Sequence, residues 1–127
     1  RFQPPERGDI VVFSPEGAPG QKYIKRVIGT PGDTVYIKDG VTYVNGEALE
    51  EKYLPEQTIG DFGPYEVPEE SVFVLGDNRN HSADSRFSSI VGFVDYDDIS
   101  GRAFWVYWPL SEMRLIDHQD YNLSFEN

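Results

Sequence analysis

Lys25 is the residue whose type and setting point most directly to chemistry. It stands in Tyr23-Ile24-Lys25-Arg26-Val27-Ile28-Gly29, a stretch rich in β-branched residues that leads into the Pro31-Gly32 turn. A lysine between apolar neighbours has two options. It can extend its stem along apolar surface and keep the ammonium in water. Or it can be desolvated, which favours the neutral amine and makes it a general base of the kind used in Ser-Lys dyads. The second concentration of reactive groups is Gly76-Asp77-Asn78-Arg79-Asn80-His81-Ser82-Ala83-Asp84-Ser85-Arg86, which follows the apolar run Val72-Phe73-Val74-Leu75. Asp77 and Arg79 are two apart, as are Asp84 and Arg86, so an extended backbone would let either couple pair. Buried pairs of this kind need further hydrogen bonds, which Asn78, Ser82 and Ser85 could supply. The plainer alternative is a solvated loop linking two strands.

Metal chemistry fits less well. Asp77, Asn78, Asn80 and Asp84 are oxygen ligands, but Arg79 occupies the third position of a calcium-type loop and no glutamate closes it at the twelfth. His81 is a lone histidine, short of a zinc set. No metal and no cofactor is expected. The 127 residues carry 22 acidic against 11 basic side chains, a formal charge of −11, which argues against nucleic acid as the main partner and against anchoring to anionic lipid by charge. The chain has no cysteine, so disulfides and thiolate catalysis are excluded. No apolar run reaches the eighteen or so residues of a membrane span. The chain begins at Arg1 without methionine and reads as part of a longer protein.

The elements that must position these groups are short strands. Ile10-Val11-Val12-Phe13 is an unbroken apolar run, expected to be buried on both faces. Residues 14–21 read as a loop. Thr34 to Ile37 and Val41 to Val44 form a hairpin across Asp39-Gly40, and Asn45-Gly46 marks a further turn. Residues 47–68 are acidic and broken by Pro55, Gly60, Gly63 and Pro64; they read as an exposed excursion with little regular structure. Val72 to Leu75, Val91 to Val94 and Ala103 to Trp108 supply the remaining strands, with one helical turn between Asp95 and Ser100. The pattern predicts a mainly β domain with little helix, an antiparallel β-sandwich or partly open β-barrel, over 1–110, followed by a polar tail over 111–127.

Three separated blocks carry a resemblance. Arg7-Gly8-Asp9-Ile10-Val11-Val12-Phe13, then Tyr23 to Gly29 with Pro31-Gly32-Asp33, then Gly76-Asp77-Asn78-Arg79 with Ser82-Ala83-Asp84-Ser85-Arg86, closely resemble the type I signal peptidases in that family's order, with a weaker match at Gly101-Arg102-Ala103. The resemblance implies a β-rich, membrane-anchored serine protease that removes signal peptides from exported preproteins with a Ser-Lys dyad, cleaving after the Ala-x-Ala pattern of small residues. By the same resemblance Lys25 is the general base and Ser82 orients its amine. Asp84 and Arg86 form a bracing pair, and Asp77, Asn78 and Arg79 are scaffold. Val12, Phe13 and Ile24 line shallow pockets for small side chains, and the backbone of Lys22, Tyr23 and Ile24 pairs with a substrate strand. The implied partners are preprotein signal peptides and a lipid surface, at the extracytoplasmic side of a bacterial or thylakoid-type membrane.

The family's nucleophilic serine lies in a Ser-Met-x-Pro-type block well before the lysine. This chain has no such block among the 24 residues before Lys25; Ser14 sits in an unrelated Ser-Pro-Glu context. The expectation is therefore a catalytic domain without its anchor and nucleophile segment, inactive as it stands. The alternatives are a non-catalytic relative that binds extended peptides and a self-cleaving repressor-type protease; the latter leaves the block at 76–86 without a purpose. Trp105 and Trp108 are read either as core or as rings resting at a membrane interface.

Overall fold

The computed structural model describes residues 3–51, 58–103 and 123–124. Apolar, β-branched runs become its strands: β1 (Ile10–Phe13), β2 (Lys22–Gly29), β3 (Thr34–Lys38), β4 (Val41–Val44), β5 (Glu47–Ala48), β6 (Phe62–Glu66), β7 (Ser71–Leu75), β8 (Val94–Asp95), β9 (Ile99–Ala103) and β10 (Leu123–Ser124). The larger sheet runs β8-β7-β2-β1-β9, with β10 also paired to β2; the smaller runs β5-β4-β3-β6. All ladders are antiparallel except β10 on β2. The only helical pieces among the described residues are the 3-10 turns Arg79–His81 and Tyr96–Asp98. The mainly β expectation holds. The two sheets do not close into a barrel.

Turn chemistry sets the hairpins. Asp39 and Gly40 both take positive φ, 52° and 82°, as a two-residue turn matched to strand twist requires, and Asn45-Gly46 repeats the device between β4 and β5. Side-chain alternation on the larger sheet then sorts its two faces. Val11, Phe13, Tyr23 and Val27 pack with Val72, Val74 and Val94 on one face. Ile28, Phe73 and Leu75 pack with Val35, Ile37 and Val44 of the smaller sheet and with Val67. Gly29 lies where the two sheets approach most closely. A Cβ there would come within 2.7 Å of Val35 and 3.0 Å of Val67, so no larger residue fits without displacement.

Three expectations change. Of Val91 to Val94, only Val94 enters a strand; the amides of Ile90, Val91 and Gly92 all turn back on the Phe87 carbonyl, so their donors are spent locally. The excursion at 47–68 contains β5 and β6 and is more regular than its composition suggests. Pro64 is accommodated because β6 is an edge strand, where a missing N–H can face away from the ladder. The last strand, expected over Ala103 to Trp108, starts earlier, at Ile99, and is described as far as Ala103; residues 104–108 lie outside the described residues, as does the tail apart from β10. No helix among the described residues is long and apolar enough to cross a membrane.

Candidate active site

The site is built on β2, the central strand. Lys25 lies opposite Val11 of β1 and on the same face as Tyr23 and Val27, which explains its complete burial. Its Nζ donates to Ser82 Oγ at 2.8 Å and sits 5.4 Å from the centre of the Tyr23 ring. Ser82 reaches this position because β7 runs antiparallel to β2 and ends with Leu75 opposite Arg26. The polar block therefore begins level with Lys25, turns through Arg79–His81 and returns Ser82 to the lysine.

The block is held by its own charges. Asp84 is fully buried; its Oδ1 accepts from Arg86 Nε at 2.8 Å and its Oδ2 from Arg86 Nη2 at 2.8 Å and from the Gly76 amide at 3.0 Å. Ser85 Oγ accepts from the Val74 amide at 2.8 Å, fastening the block to β7. The Arg86 guanidinium also lies 5.2 Å from the Phe62 ring and 5.3 Å from the Phe87 ring, where cation–π attraction adds to the pair.

The Asp84–Arg86 pairing expected from spacing is present; the Asp77–Arg79 pairing is not. Asp77 takes a bidentate bond from Arg26, 3.2 and 3.3 Å, and Arg79 takes Glu51, 3.0 and 2.6 Å. The backbone bends into the 3-10 turn at Arg79, so residues 77 and 79 diverge instead of lying side by side along an extended strand. Burial pushes the Asp77 carboxyl above its usual range, against the pull of Arg26 and Arg79. The Asn78 carbonyl accepts from the His81 amide at 3.0 Å, closing the turn. Asn80 Oδ1 accepts from the Ile59 amide at 2.8 Å. Sequence reasoning missed Glu51 and Arg26. Arg26 had a signal in its place one residue from Lys25 inside a buried strand; Glu51, amid an acidic excursion, had none.

The residues assigned to substrate contact separate into two groups. Val12 is half-buried and lies opposite Ile24, on the same face of the sheet. Phe13 packs in the core against Tyr23, ring centres 6.0 Å apart, which favours a structural role for both side chains. Lys22, Tyr23 and Ile24 belong to the part of β2 that outruns β7, and β10 pairs there in parallel, Leu123 with Lys22 and Ser124 with Tyr23. For a metal, one group of three carboxylates converges among the described residues, Glu16, Asp95 and Asp98 within 4.8 Å of one another, and it includes no residue of the Lys25–Ser82 site.

Known proteins share the sequence pattern and the fold. Residues 1–108 match the family described as signal peptidase, peptidase S26. A probable signal peptidase I-2 of Synechocystis is 44% identical over 121 residues, covering 91% of this chain and 54% of that protein. A signal peptidase I of Bacillus licheniformis is 41% identical over 122 residues, covering 88% of this chain and 64% of that protein. The chain thus spans between half and two thirds of the length of these relatives. Among solved structures, a signal peptidase I from Enterococcus faecalis V583 is similar with a TM-score of 0.68 and 37% identity, covering 81% of this chain and 99% of that one.

Proposed function

The chain belongs to the signal peptidase S26 family, and from that premise we propose that it is the catalytic part of a type I signal peptidase, a serine endopeptidase that removes signal peptides from exported preproteins. The observation that carries the reading is Lys25, wholly buried in a β-strand with its amine 2.8 Å from the Ser82 hydroxyl. Burial disfavours the ammonium and favours the neutral amine that a general base requires. Ser82 is the positioning residue: its hydroxyl fixes the direction of the Nζ lone pair. In the proposed reaction the neutral amine takes the proton of a nucleophilic serine as that oxygen bonds to the scissile carbonyl carbon. The lysine then returns the proton to the leaving amine as the C–N bond breaks, and water, activated by the same amine, hydrolyses the ester.

The reading assigns the nucleophile to a segment outside residues 1–127, since the family's serine precedes the lysine and Ser14, the one serine before Lys25, stands in an unrelated context; residues 1–127 alone are expected to lack turnover. The substrate is assigned to the edge of β2 at Lys22 to Ile24, beyond the end of β7, where it pairs as an added strand in the place β10 takes in this structure. That β10 lies along this edge supports its ability to accept an extended segment. Val12 and Ile24, paired across β1 and β2, are assigned to small pockets that exclude large side chains, which suits an Ala-x-Ala preference. The enzyme is placed at the extracytoplasmic side of a bacterial or thylakoid-type membrane, against the lipid surface.

The test is Lys25→Met in the full-length protein in membranes, with a preprotein carrying an Ala-x-Ala site. Methionine matches the length and apolarity of the stem, so the fold is retained. The expected loss in kcat is about 10²- to 10⁴-fold. Undiminished cleavage would remove Lys25 as the base. A parent protein that binds the preprotein without cleaving it would identify the domain as a peptide-binding relative.

A further inference from the structure

We propose that Glu51 is a positioning residue for the Lys25–Ser82 pair, acting through Arg79. The inference rests on the reading of Lys25 as the base and extends it to a residue that follows β5 of the smaller sheet.

Arg79 opens the 3-10 turn that ends one residue before Ser82, and its side chain is fully buried. Its guanidinium is fastened at three places. Nε donates to the Gly76 carbonyl at 2.7 Å, Nη1 to Thr42 Oγ1 at 3.2 Å, and Nη1 and Nη2 to the two Glu51 oxygens at 3.0 and 2.6 Å. Its own carbonyl accepts from Arg86 Nη2 at 2.5 Å, and Arg86 is the partner of Asp84. Arg79 is therefore a node. One side holds the first residue of the polar block, the other holds the arginine at its end, and the Ser82 backbone is strung between them.

Of the three anchors only Glu51 carries charge. Without that carboxylate the buried guanidinium keeps neutral acceptors and the field of Asp77, a carboxylate already gripped by Arg26, so the turn that carries it is less firmly held. Bidentate geometry also fixes the plane of the fork, which a single acceptor does not. The block is braced nearby by Ile59, in the segment before β6, whose amide donates to Asn80 Oδ1, and by Phe62 of β6 under Arg86. A shift of Ser82 by a fraction of its 2.8 Å hydrogen bond would misdirect the Lys25 amine, and small misplacements of this kind cost catalysis without touching substrate binding.

The experiment compares Glu51→Gln and Glu51→Asp with the parent, each as the full-length protein in membranes, with an Ala-x-Ala preprotein and with Lys25→Met as the reference for a lost base. Glu51→Gln removes the charge and is expected to lower kcat about 10- to 100-fold with KM within about twofold. Glu51→Asp keeps the charge on a shorter arm and is expected to fall between Glu51→Gln and the parent. Parental kcat in Glu51→Gln, or a loss expressed in KM alone, overturns the proposal while leaving the dyad intact if Lys25→Met is inactive. Should Glu51→Gln fail to fold, Glu51→Asp decides: a kcat equal to the parent's overturns the proposal. Full activity in Lys25→Met removes both readings together.

Discussion

The polar block at 76–86 and the acidic stretch at 47–70 are both rich in charge, yet among the described residues the block's charges lie inside the protein and most of the stretch's lie at its surface. In the block Asp77, Arg79, Ser82, Asp84, Ser85 and Arg86 are all buried. In the stretch Glu47, Glu66, Glu69 and Glu70 are exposed, and Ile59 beside them is 75% exposed. The difference is charge balance. The block carries two carboxylates and two guanidiniums of its own, whereas the stretch has a large acidic excess against the single Lys52. A charge enters a protein interior only with a partner. Glu51 reaches from the stretch to the inside and pairs there with Arg79, while Asp77 pairs with Arg26. The balance of charge separates the two regions, and the partner each charge finds accounts for the exception at Glu51.

The largest expected effect tests the buried side of that contrast. Asp84→Ala leaves the Arg86 guanidinium without the carboxylate it grips at 2.8 Å and the Gly76 amide without its acceptor. The expected destabilisation is about 3–5 kcal/mol, read as a lowered midpoint in urea unfolding with an unchanged slope. A loss below about 1 kcal/mol would place the block energetically with the exposed stretch and break the comparison.

Those same partnerships decide how much was legible beforehand. The strands were read well where an apolar run stood between strong turn signals, as at Ile10 to Phe13 or across Asp39-Gly40. They were misread where local hydrogen bonds competed, as at Val91 and Gly92, whose amides turn toward Phe87. The Asp84–Arg86 pair followed from spacing because both groups lie in one segment. The Arg26–Asp77 and Arg79–Glu51 pairs join residues 51 and 28 positions apart. Nothing local encodes them; they form because β7 lies beside β2 and because the smaller sheet packs against the block. The resemblance supplied Lys25 and Ser82 as a couple, and these residues, 57 positions apart, come within 2.8 Å for the same topological reason.

Asp33 is an intermediate case and sharpens the comparison. It sits in the turn after β2, 11% exposed at its side chain. Burial pushes its carboxyl up, but bonds from the Thr30 amide, the Asn45 amide nitrogen and the Thr30 hydroxyl, with the Arg7 charge, together hold it below 3.8. A carboxyl whose pKa is lowered by folding adds stability above its unfolded value and loses it as pH falls through the folded one. Asp33→Asn is therefore expected to cost about 1–2 kcal/mol at neutral pH, with the gap to the parent narrowing as the pH drops below 3.8. A gap of constant size across that range would mean that the charge contributes nothing and that shape alone holds the turn.

The smallest effect completes the contrast, and its value lies in being small. Glu47→Gln makes the same chemical change as Glu51→Gln, four residues away and in the same acidic stretch. Glu47 stands exposed in β5, opposite Val44, and its head group is hydrated. Removing its charge is expected to alter stability by less than about 0.5 kcal/mol, and kcat for preprotein cleavage should stay at the parent's value. The two variants differ in partner and in nothing that composition reveals. If Glu47→Gln lowered kcat as Glu51→Gln does, the cause would be the overall acidity of the stretch, acting at long range and fading with added salt. A response confined to position 51 and insensitive to salt instead ties the effect to the buried grip on Arg79.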